Sequence, residues 1–282
     1  MTSKNFSIIE LSGNDISLNH TLAIRISNRI VEYSVLDSAK KMVVALESWN
    51  IGINDDPGML TDALEKIKND SSLLNNEFGK VIIIPDTSIY TIIPEKLFVE
   101  KEAKKYLEFN HTIYSNEKIC IDNIYQIAAK NIYGFPFEVD DIAEKKFPNY
   151  QFKHTATILI ETILSLNTHD VIFAHINGNR LDILVKKDDA LKFCNSFFFA
   201  SAEDIIYYIL NVYQQLEMDA ASIPLVFAGE IEQESTVFGI AYKYIKNVSF
   251  QNRPEHFWYC QGIQKLPGHN YFCLFKSFSC GS

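Results

Sequence analysis

The residues His169–Ser201, HDVIFAHINGNRLDILVKKDDALKFCNSFFFAS, decide the fold that the sequence predicts. Three runs of β-branched and aromatic residues are separated by short turns of Asn, Gly and Asp. These turn residues tolerate positive φ angles, so the pattern predicts three consecutive antiparallel strands. We place the strands at Val171–Ile176, Leu181–Lys187 and Leu191–Ala200.

A helix is predicted to follow the third strand. Ser201 can cap Ala202–Met218, and Asp204 completes the pattern of a capping box. Apolar residues recur at helical spacing through this segment, which indicates one buried face. The short apolar run Ile223–Phe227 then suits a buried parallel strand. The unit therefore has the order βββαβ.

The same order of elements occurs earlier in the chain. A helix starting near Pro57, with Asp55 or Asp56 as its cap, precedes the buried run Val81–Ile84. The sequences IRISNRIVEY and AHINGNRLDI align at the first turn of each copy. Two such copies predict a duplicated α/β protein. The strands of the first copy are placed at Leu22–Ser27, Ile30–Asp37 and Met42–Trp49.

The segments outside the two copies have weaker patterns. No linker rich in Gly, Ser or Pro separates the halves, and we place two domains at residues 20–168 and 169–282. An insertion occupies residues 112–150 of the first domain. Further predicted strands are Phe6–Leu11, Ser88–Ile93, Lys118–Ile124, Gln126–Tyr133 and Val248–Gln251. Further predicted helices are Phe98–Phe109, Val139–Phe147, Gln233–Ile245 and Pro267–Phe278, while Thr155–Leu166 fits a buried helix or a strand.

Composition excludes several classes of protein. The chain has 282 residues, 26 basic and 35 acidic, and its net charge of -9 disfavours nucleic acid as a partner. Its five cysteines are scattered without CxxC spacing, which favours reduced thiols over disulfides or a zinc site. The first residues lack the apolar core of a signal peptide, and no apolar run has membrane-spanning length. We therefore expect a cytoplasmic protein without membrane insertion.

The duplicated order resembles the paired ribonuclease-H-like domains of the actin, Hsp70 and sugar-kinase superfamily. The runs VIIIPDTSIYTIIPEKLF, FPNYQFKHTATILIETIL and PGHNYFCLFKSF are similar to a bacterial family of uncharacterised proteins with an actin-like ATPase fold. Cell-pole and pilus-assembly actin-like proteins resemble it more distantly. The resemblance implies two mixed five-stranded sheets, with a cleft between the domains.

The resemblance also implies where a nucleotide site would lie, and the chain departs from it there. In active members each first hairpin carries an Asp and, two residues on, a Gly, which hold Mg²⁺ and phosphate. Those positions fall on Arg25 and Ser27 in the first copy. In the second copy they fall on His175 and Asn177, with Gly178 one residue later. The paired glycines of the adenosine side are reduced to Gly229, which Glu230 follows.

These six positions, Arg25, Ser27, His175, Asn177, Gly178 and Gly229, are the candidate site residues, interpreted as a degenerate nucleotide site. A guanidinium and an imidazole do not replace a carboxylate as Mg²⁺ ligands, so we expect no metal and no cofactor, ATP included. Arg25 and His175 either form an anion site, or pair with nearby carboxylates or lie exposed at strand ends. Glu230, Glu232 and Glu234 either bind a metal or form a solvated helix start.

Three functions remain open on this interpretation. The first is a non-catalytic scaffold or adaptor that binds a protein partner or forms a homodimer. The second is a nucleotide or small-molecule sensor, and the third is an ATPase or phosphotransferase with nonstandard ligands. The aromatic residues Tyr133, Phe135 and Phe137 of the insertion either cover the core of the first domain or form a protein contact.

Overall fold

The computed structural model describes residues 2–11, 16–52 and 57–279 of the chain. The predicted caps Asp55 and Asp56, and Cys280, lie outside these residues. The chain forms two compact units. Unit 1 comprises Met1–Ile158, Pro254–Leu266 and Leu274–Ser282, and unit 2 comprises Leu159–Arg253 and Pro267–Cys273.

The strands of both units follow the predicted positions closely. In chain order they are β1 (Ser3–Ile9), β2 (His20–Ile26), β3 (Ile30–Asp37), β4 (Met42–Asn50), β5 (Lys80–Pro85), β6 (Tyr90–Pro94), β7 (Glu117–Ile124), β8 (Ala129–Pro136), β9 (Tyr150–Phe152), β10 (Val171–Asn177), β11 (Arg180–Lys187), β12 (Ala190–Phe198), β13 (Leu225–Gly229), β14 (Val248–Phe250) and β15 (Trp258–Tyr259).

The helices agree less well at two places. They are α1 (Pro57–Asp70), α2 (Ala103–Glu108), α3 (Phe137–Lys146), α4 (Thr155–Ser165), α5 (Ala202–Gln215), α6 (Thr236–Tyr244), α7 (Gln261–Gln264) and α8 (Phe272–Ser277). The helix predicted over 98–109 is wrong in its first half, where short 3-10 turns precede α2. The closing helix predicted over 267–278 is wrong before Phe272, because Pro267, Gly268 and Tyr271 at φ 57° interrupt it.

The main sheet of unit 1 has the strand order β1-β4-β3-β2-β5-β9, with β15 pairing to β4 as well. It contains the predicted strands β4, β3, β2 and β5 and the predicted edge strand β1, whereas β9 and β15 were not predicted, so the sheet has seven strands where five were expected. Both β1 and β15 pair with β4. Apolar residues of β2, β3 and β5 pack with α1 and α3 in one core. Because β15 pairs with β4, the units are discontinuous in sequence, unlike the predicted domains.

The sheet of unit 2 has five strands in the order β12-β11-β10-β13-β14. Its first three strands are antiparallel neighbours, while β10 and β13 run parallel with Ile172 opposite Leu225. Ser201 caps α5 in a complete capping box with Asp204, as predicted. Ile205, Ile209 and Val212 of α5 pack into the core formed by β10, β11 and β13.

The two strand trios are equivalent in detail. In unit 1, β2 pairs antiparallel with β3 and parallel with β5, as β10 does with β11 and β13 in unit 2. The pairing of the second and third strands shifts register at Val35 in one unit and at Val185 in the other. Because even this irregularity recurs at matching positions, the structure supports the predicted duplication.

The insertion of residues 112–150 forms a hairpin and a helix. Its strands β7 and β8 pair with each other, and β8 also pairs with β6. The three strands form a separate sheet of unit 1 in the order β6-β8-β7. Tyr133 and Phe135 of β8 are buried, whereas Phe137 at the start of α3 is exposed. The hypothesis that all three rings form a protein contact is therefore wrong for Tyr133 and Phe135, which cover the core.

Candidate functional site

Arg25, the first candidate residue, lies in β2 and is ion-paired on both sides. Its Nε and Nη2 atoms donate to Oε2 of Glu32, at 2.9 and 2.6 Å. Its Nη1 atom donates to Oδ2 of Asp86 at 2.6 Å. All three side chains are buried. One guanidinium is thus shared by two carboxylates, and its N–H donors are directed at them.

Ser27 follows Arg25 at the turn of the same hairpin and closes that turn itself. Its Oγ atom accepts from the backbone N–H groups of Arg29 and Ile30, at 3.2 and 3.0 Å. The Ser27 N–H donates to the carbonyl of Ile30. The backbone N–H groups of Ser27, Arg29 and Ile30 are therefore bound within the turn.

His175, in β10, occupies the equivalent position in unit 2. Its Nδ1 atom lies 3.2 Å from Oδ2 of Asp182 on β11, and its Nε2 atom lies 3.6 Å from Sγ of Cys273. Asp182 also accepts from Arg180 at 3.0 Å and from Ser196 at 2.6 Å. Every member of this group except half-buried Ser196 is buried.

The charges of this group shift the pKa values of its members. Burial alone lowers the pKa of His175, but the interactions with Cys273 and Asp182 raise it to about 10. Burial alone would raise the pKa of Asp182, but Arg180 and His175 together hold it below its usual range. The imidazole and the carboxylate therefore stabilise each other as an ion pair.

The remaining candidates lie at the ends of β10 and β13. Asn177 ends β10 opposite Arg180, and Gly178 follows it at φ 58°. The Gly178 N–H donates to Oε2 of Glu230 at 3.0 Å. Glu230, the residue after Gly229, thus supplies the carboxylate that occupies this backbone donor.

Gly229 ends β13 in a conformation that favours glycine. Its φ angle is 85°, and a Cβ atom placed on it would lie 2.1 Å from the carbonyl oxygen of Ile176. Its N–H donates to the carbonyl of His269 at 3.0 Å. The His269 ring stacks on Phe250 and bonds the carbonyl of Ile231 through Nε2. Residues 267–273 therefore cover the end of β13 in unit 2.

Both hairpins pair their basic residue with a carboxylate, one of the alternatives left open by the sequence, although the partner residues were not identified from it. Arg25 lies directly opposite Glu32, and His175 lies directly opposite Asp182, in matching registers of the two hairpins. The signal was an acid seven residues after each basic residue, a spacing that an antiparallel hairpin converts into a cross-strand pair. Asp86 and Cys273, distant in sequence, carried no comparable signal.

The residues at these positions do not fit Mg²⁺. A guanidinium cannot coordinate the ion, a histidine raised in pKa is a poor ligand, and the nearby carboxylates are bound to basic groups. Among the described residues, no group of three or more His, Cys, Asp and Glu side chains is placed to hold a metal. Glu232 and Glu234 are exposed but precede α6, whose first turn has no acidic residue, so the solvated helix start is wrong in position.

Comparison with known proteins identifies the family. The model of the family described as "Protein of unknown function (DUF3822)" matches residues 12–248. The chain belongs to this family. No curated protein matches the sequence.

Solved structures establish the fold of this DUF3822 member. A Bacteroides thetaiotaomicron protein with actin-like ATPase fold and unknown function aligns with TM-score 0.78 and 23% identity, covering 94% of this chain and 97% of that one. The PilM–PilN type IV pilus biogenesis complex aligns with TM-score 0.54 and 9% identity, covering 91% and 96%. The predicted actin-like ATPase fold is confirmed. Among the described residues, every helix is too short or too polar to span a bilayer.

The Arg25 ion pairs predict a large loss of stability on substitution. Arg25→Met leaves Glu32 and Asp86 buried without their cation, so we expect the free energy of unfolding at pH 7 to fall by about 3–5 kcal/mol. Lys105→Met, which removes an exposed pair with Glu102, is the control and should change it far less, because solvent screens the pair. Urea denaturation measures both. Equal effects of the two substitutions would show that the Arg25 pairs add nothing.

Gly229 gives a second prediction with a control in the same unit. Gly229→Ala should destabilise the protein by about 1–3 kcal/mol or more, because of its positive φ and the contact with Ile176. Gly239→Ala lies inside α6 with open space around it and should stabilise by roughly 0.5–1 kcal/mol. Thermal melting of both variants checks whether Gly229→Ala lowers the stability and Gly239→Ala raises it. A tolerated Gly229→Ala would contradict the described end of β13.

Proposed function

We propose that this protein is a non-catalytic member of the actin-like fold, acting as a scaffold or adaptor through protein contacts. One observation supports this most directly: the backbone and side-chain groups at the candidate positions are bound by the chain's own residues. Glu230 binds the Gly178 N–H, His269 binds the Gly229 N–H, and Ser27 closes its own turn. A nucleotide phosphate would have to displace each of these contacts and would meet carboxylates in their place.

The two alternatives need features that this arrangement lacks. An ATPase with nonstandard ligands needs preorganised donors for the transferred phosphoryl group, and a sensor needs donors or cations with unused capacity. Arg25 is held by Glu32 and Asp86, and His175 by Asp182 and Cys273. Both basic groups are therefore engaged in pairs with acidic groups or a thiol, which favours the adaptor.

Nucleotide binding tests this proposal directly. We expect ATP and ADP at millimolar concentration, with or without Mg²⁺, to leave the melting temperature unchanged, because a ligand that does not bind the native state cannot stabilise it. We also expect no ATP hydrolysis above a protein-free blank. Stabilisation that requires Mg²⁺ would support the ATPase, and stabilisation without Mg²⁺ would support the sensor. The variant Glu230→Gln is the matched probe, because it removes the charge opposing a phosphate.

A surface of unit 2 has the properties of a protein contact. Strand β12 is the outermost strand of its sheet, and in the described part of the chain β11 is its one partner. Of its nine residues, Lys192 alone is charged, whereas the edge strand β7 of unit 1 has Glu117, Lys118 and Asp122. Long edges with few charges are open to pairing with another strand. β12 can therefore accept an extended segment of a partner chain.

Aromatic side chains lie beside this edge. The Phe197 ring stacks on Tyr208 with centroids 4.6 Å apart, and Tyr208 contacts Tyr207 at 5.7 Å. Phe198 and Tyr207 are 61% and 66% exposed. Aromatic residues supply much of the binding energy of protein interfaces, and two large exposed rings beside an open strand edge match that pattern. We name this the β12 surface: β12 with Tyr207 and Tyr208.

Substitution of the exposed rings tests the β12 surface. We expect Phe198→Ser with Tyr207→Ser to keep the melting temperature within a few degrees and to weaken association with a partner, or with a second copy, by about 30-fold or more. Tyr242→Ser with Tyr244→Ser is the control, because these α6 rings are equally exposed, at 65% and 61%. Light scattering measures self-association, and titration measures binding of a captured partner. If both double variants bind alike, the β12 surface is not the contact.

A further inference from the structure

Cys273, His175 and Asp182 form a chain of contacts that the proposed adaptor role does not use. The Cys273 Sγ atom lies 3.6 Å from Nε2 of His175, whose Nδ1 atom lies 3.2 Å from Oδ2 of Asp182. Asp182 is in turn fixed by Arg180 and Ser196. A thiol, an imidazole and a carboxylate in this order are the parts of an activated cysteine, because the imidazole accepts the thiol proton and the carboxylate stabilises the resulting cation.

The other cysteines show that this arrangement is particular to Cys273. The four cysteines that the structure describes form no disulfide. Burial raises the pKa of Cys120 to about 12, and burial likewise raises that of Cys260. Cys273 is equally buried but faces an imidazole. Cys120 and Cys260 are buried thiols without that imidazole contact, and they therefore serve as internal controls for Cys273.

The groups that surround His175 favour a protonated imidazole beside a thiolate. Asp182 and Arg180 face it from β11, Ser196 of β12 bonds Asp182, and β13 contributes Gly229, which carries no charge. The charges of Arg180 and Asp182 largely cancel. The transfer of a proton from Cys273 to His175 therefore creates a pair of thiolate and imidazolium without changing the net charge of the group. Thiolates are the reactive form of cysteine, and neighbouring imidazolium stabilises them.

We propose that Cys273 is a site of oxidative modification, at which a small uncharged peroxide converts the thiol to a sulfenic acid. The Cys273 thiolate attacks one peroxide oxygen, and the S–O bond forms as the O–O bond breaks. The leaving hydroxide takes the proton from Nε2 of His175 and departs as water. Sulfur loses two electrons and peroxide gains them, and His175 ends as neutral imidazole.

The location of Cys273 limits the reagent and gives the modification a consequence. At 2% exposure the sulfur excludes bulky or charged oxidants, so the substrate class is hydrogen peroxide and comparably small neutral peroxides. The added oxygen must fit where Sγ now contacts Nε2. It therefore displaces residues 267–273, whose His269 carbonyl accepts the N–H of Gly229. Tyr271, at φ 57°, lies within this segment and makes its backbone conformation less favourable.

Reaction of the native protein with hydrogen peroxide tests the proposal. Sulfenic acid is trapped with dimedone, and each cysteine is quantified by peptide mass spectrometry over time. We expect Cys273 to be labelled at least tenfold faster than Cys120 and Cys260, with a rate proportional to peroxide concentration. Labelling of Cys273 no faster than these two would overturn the proposal. A rate independent of peroxide concentration would also overturn it, because opening of the structure and not the thiolate would then control the reaction.

The pH dependence of the labelling rate distinguishes a thiolate–imidazolium ion pair from an ordinary thiol. This measurement needs no substitution. We expect the Cys273 rate to change by less than about threefold from pH 6 to pH 8, whereas the rate for an ordinary thiol rises about tenfold per pH unit below its pKa. Half-buried Cys194 provides that comparison in the same sample. His175→Gln should slow labelling of Cys273 and restore the steep pH dependence. If the native profile is as steep as that of Cys194, Cys273 is an ordinary buried thiol.

Discussion

The cross-strand pair between a basic residue and an acid at each first hairpin is the constraint on which both candidate sites depend. Arg25 faces Glu32 and His175 faces Asp182, each pair buried and in direct register. A buried charge is tolerated only with a partner, so the two members of each pair must be kept together. Once a basic residue stands at this position, the adjacent carboxylate is committed to it and is not available to a metal ion.

In unit 2 the same need for a partner applies to backbone N–H groups as well as to side chains. The ends of β10 and β13 expose N–H groups that in this fold can receive a ligand, and the chain supplies acceptors of its own for them. Glu230 comes from the residue directly after β13, and His269 comes from the segment 267–273. These two residues therefore satisfy backbone donors at the strand ends. In the proposed adaptor role, binding depends on outer surfaces such as the β12 surface.

Much of the architecture could be predicted because it follows from local patterns. Alternating and apolar runs, turn residues with positive φ and the capping box at Ser201 placed both strand trios and α5 within one to three residues. The candidate positions on the hairpins followed from the same alignment. What could not be predicted rests on contacts between residues far apart in sequence: Asp86 with Arg25, Cys273 with His175, and β15 with β4. The burial of Tyr133 and Phe135 could not be predicted either, because the alternation of side chains along a strand does not say which face of the sheet is covered.

The order in which the last residues join the two units has a consequence for synthesis. After Arg253 the chain contributes β15 to unit 1, then residues 267–273 to unit 2, then α8 largely to unit 1. On a ribosome, where domains tend to fold as they emerge, the pairing of β15 with β4 therefore forms after the other strands of the main sheet of unit 1 have been made. Unit 2 likewise lacks the acceptor for Gly229 until His269 emerges. Residues 254–277 thus supply contacts to both units after the remaining strands of each have been made.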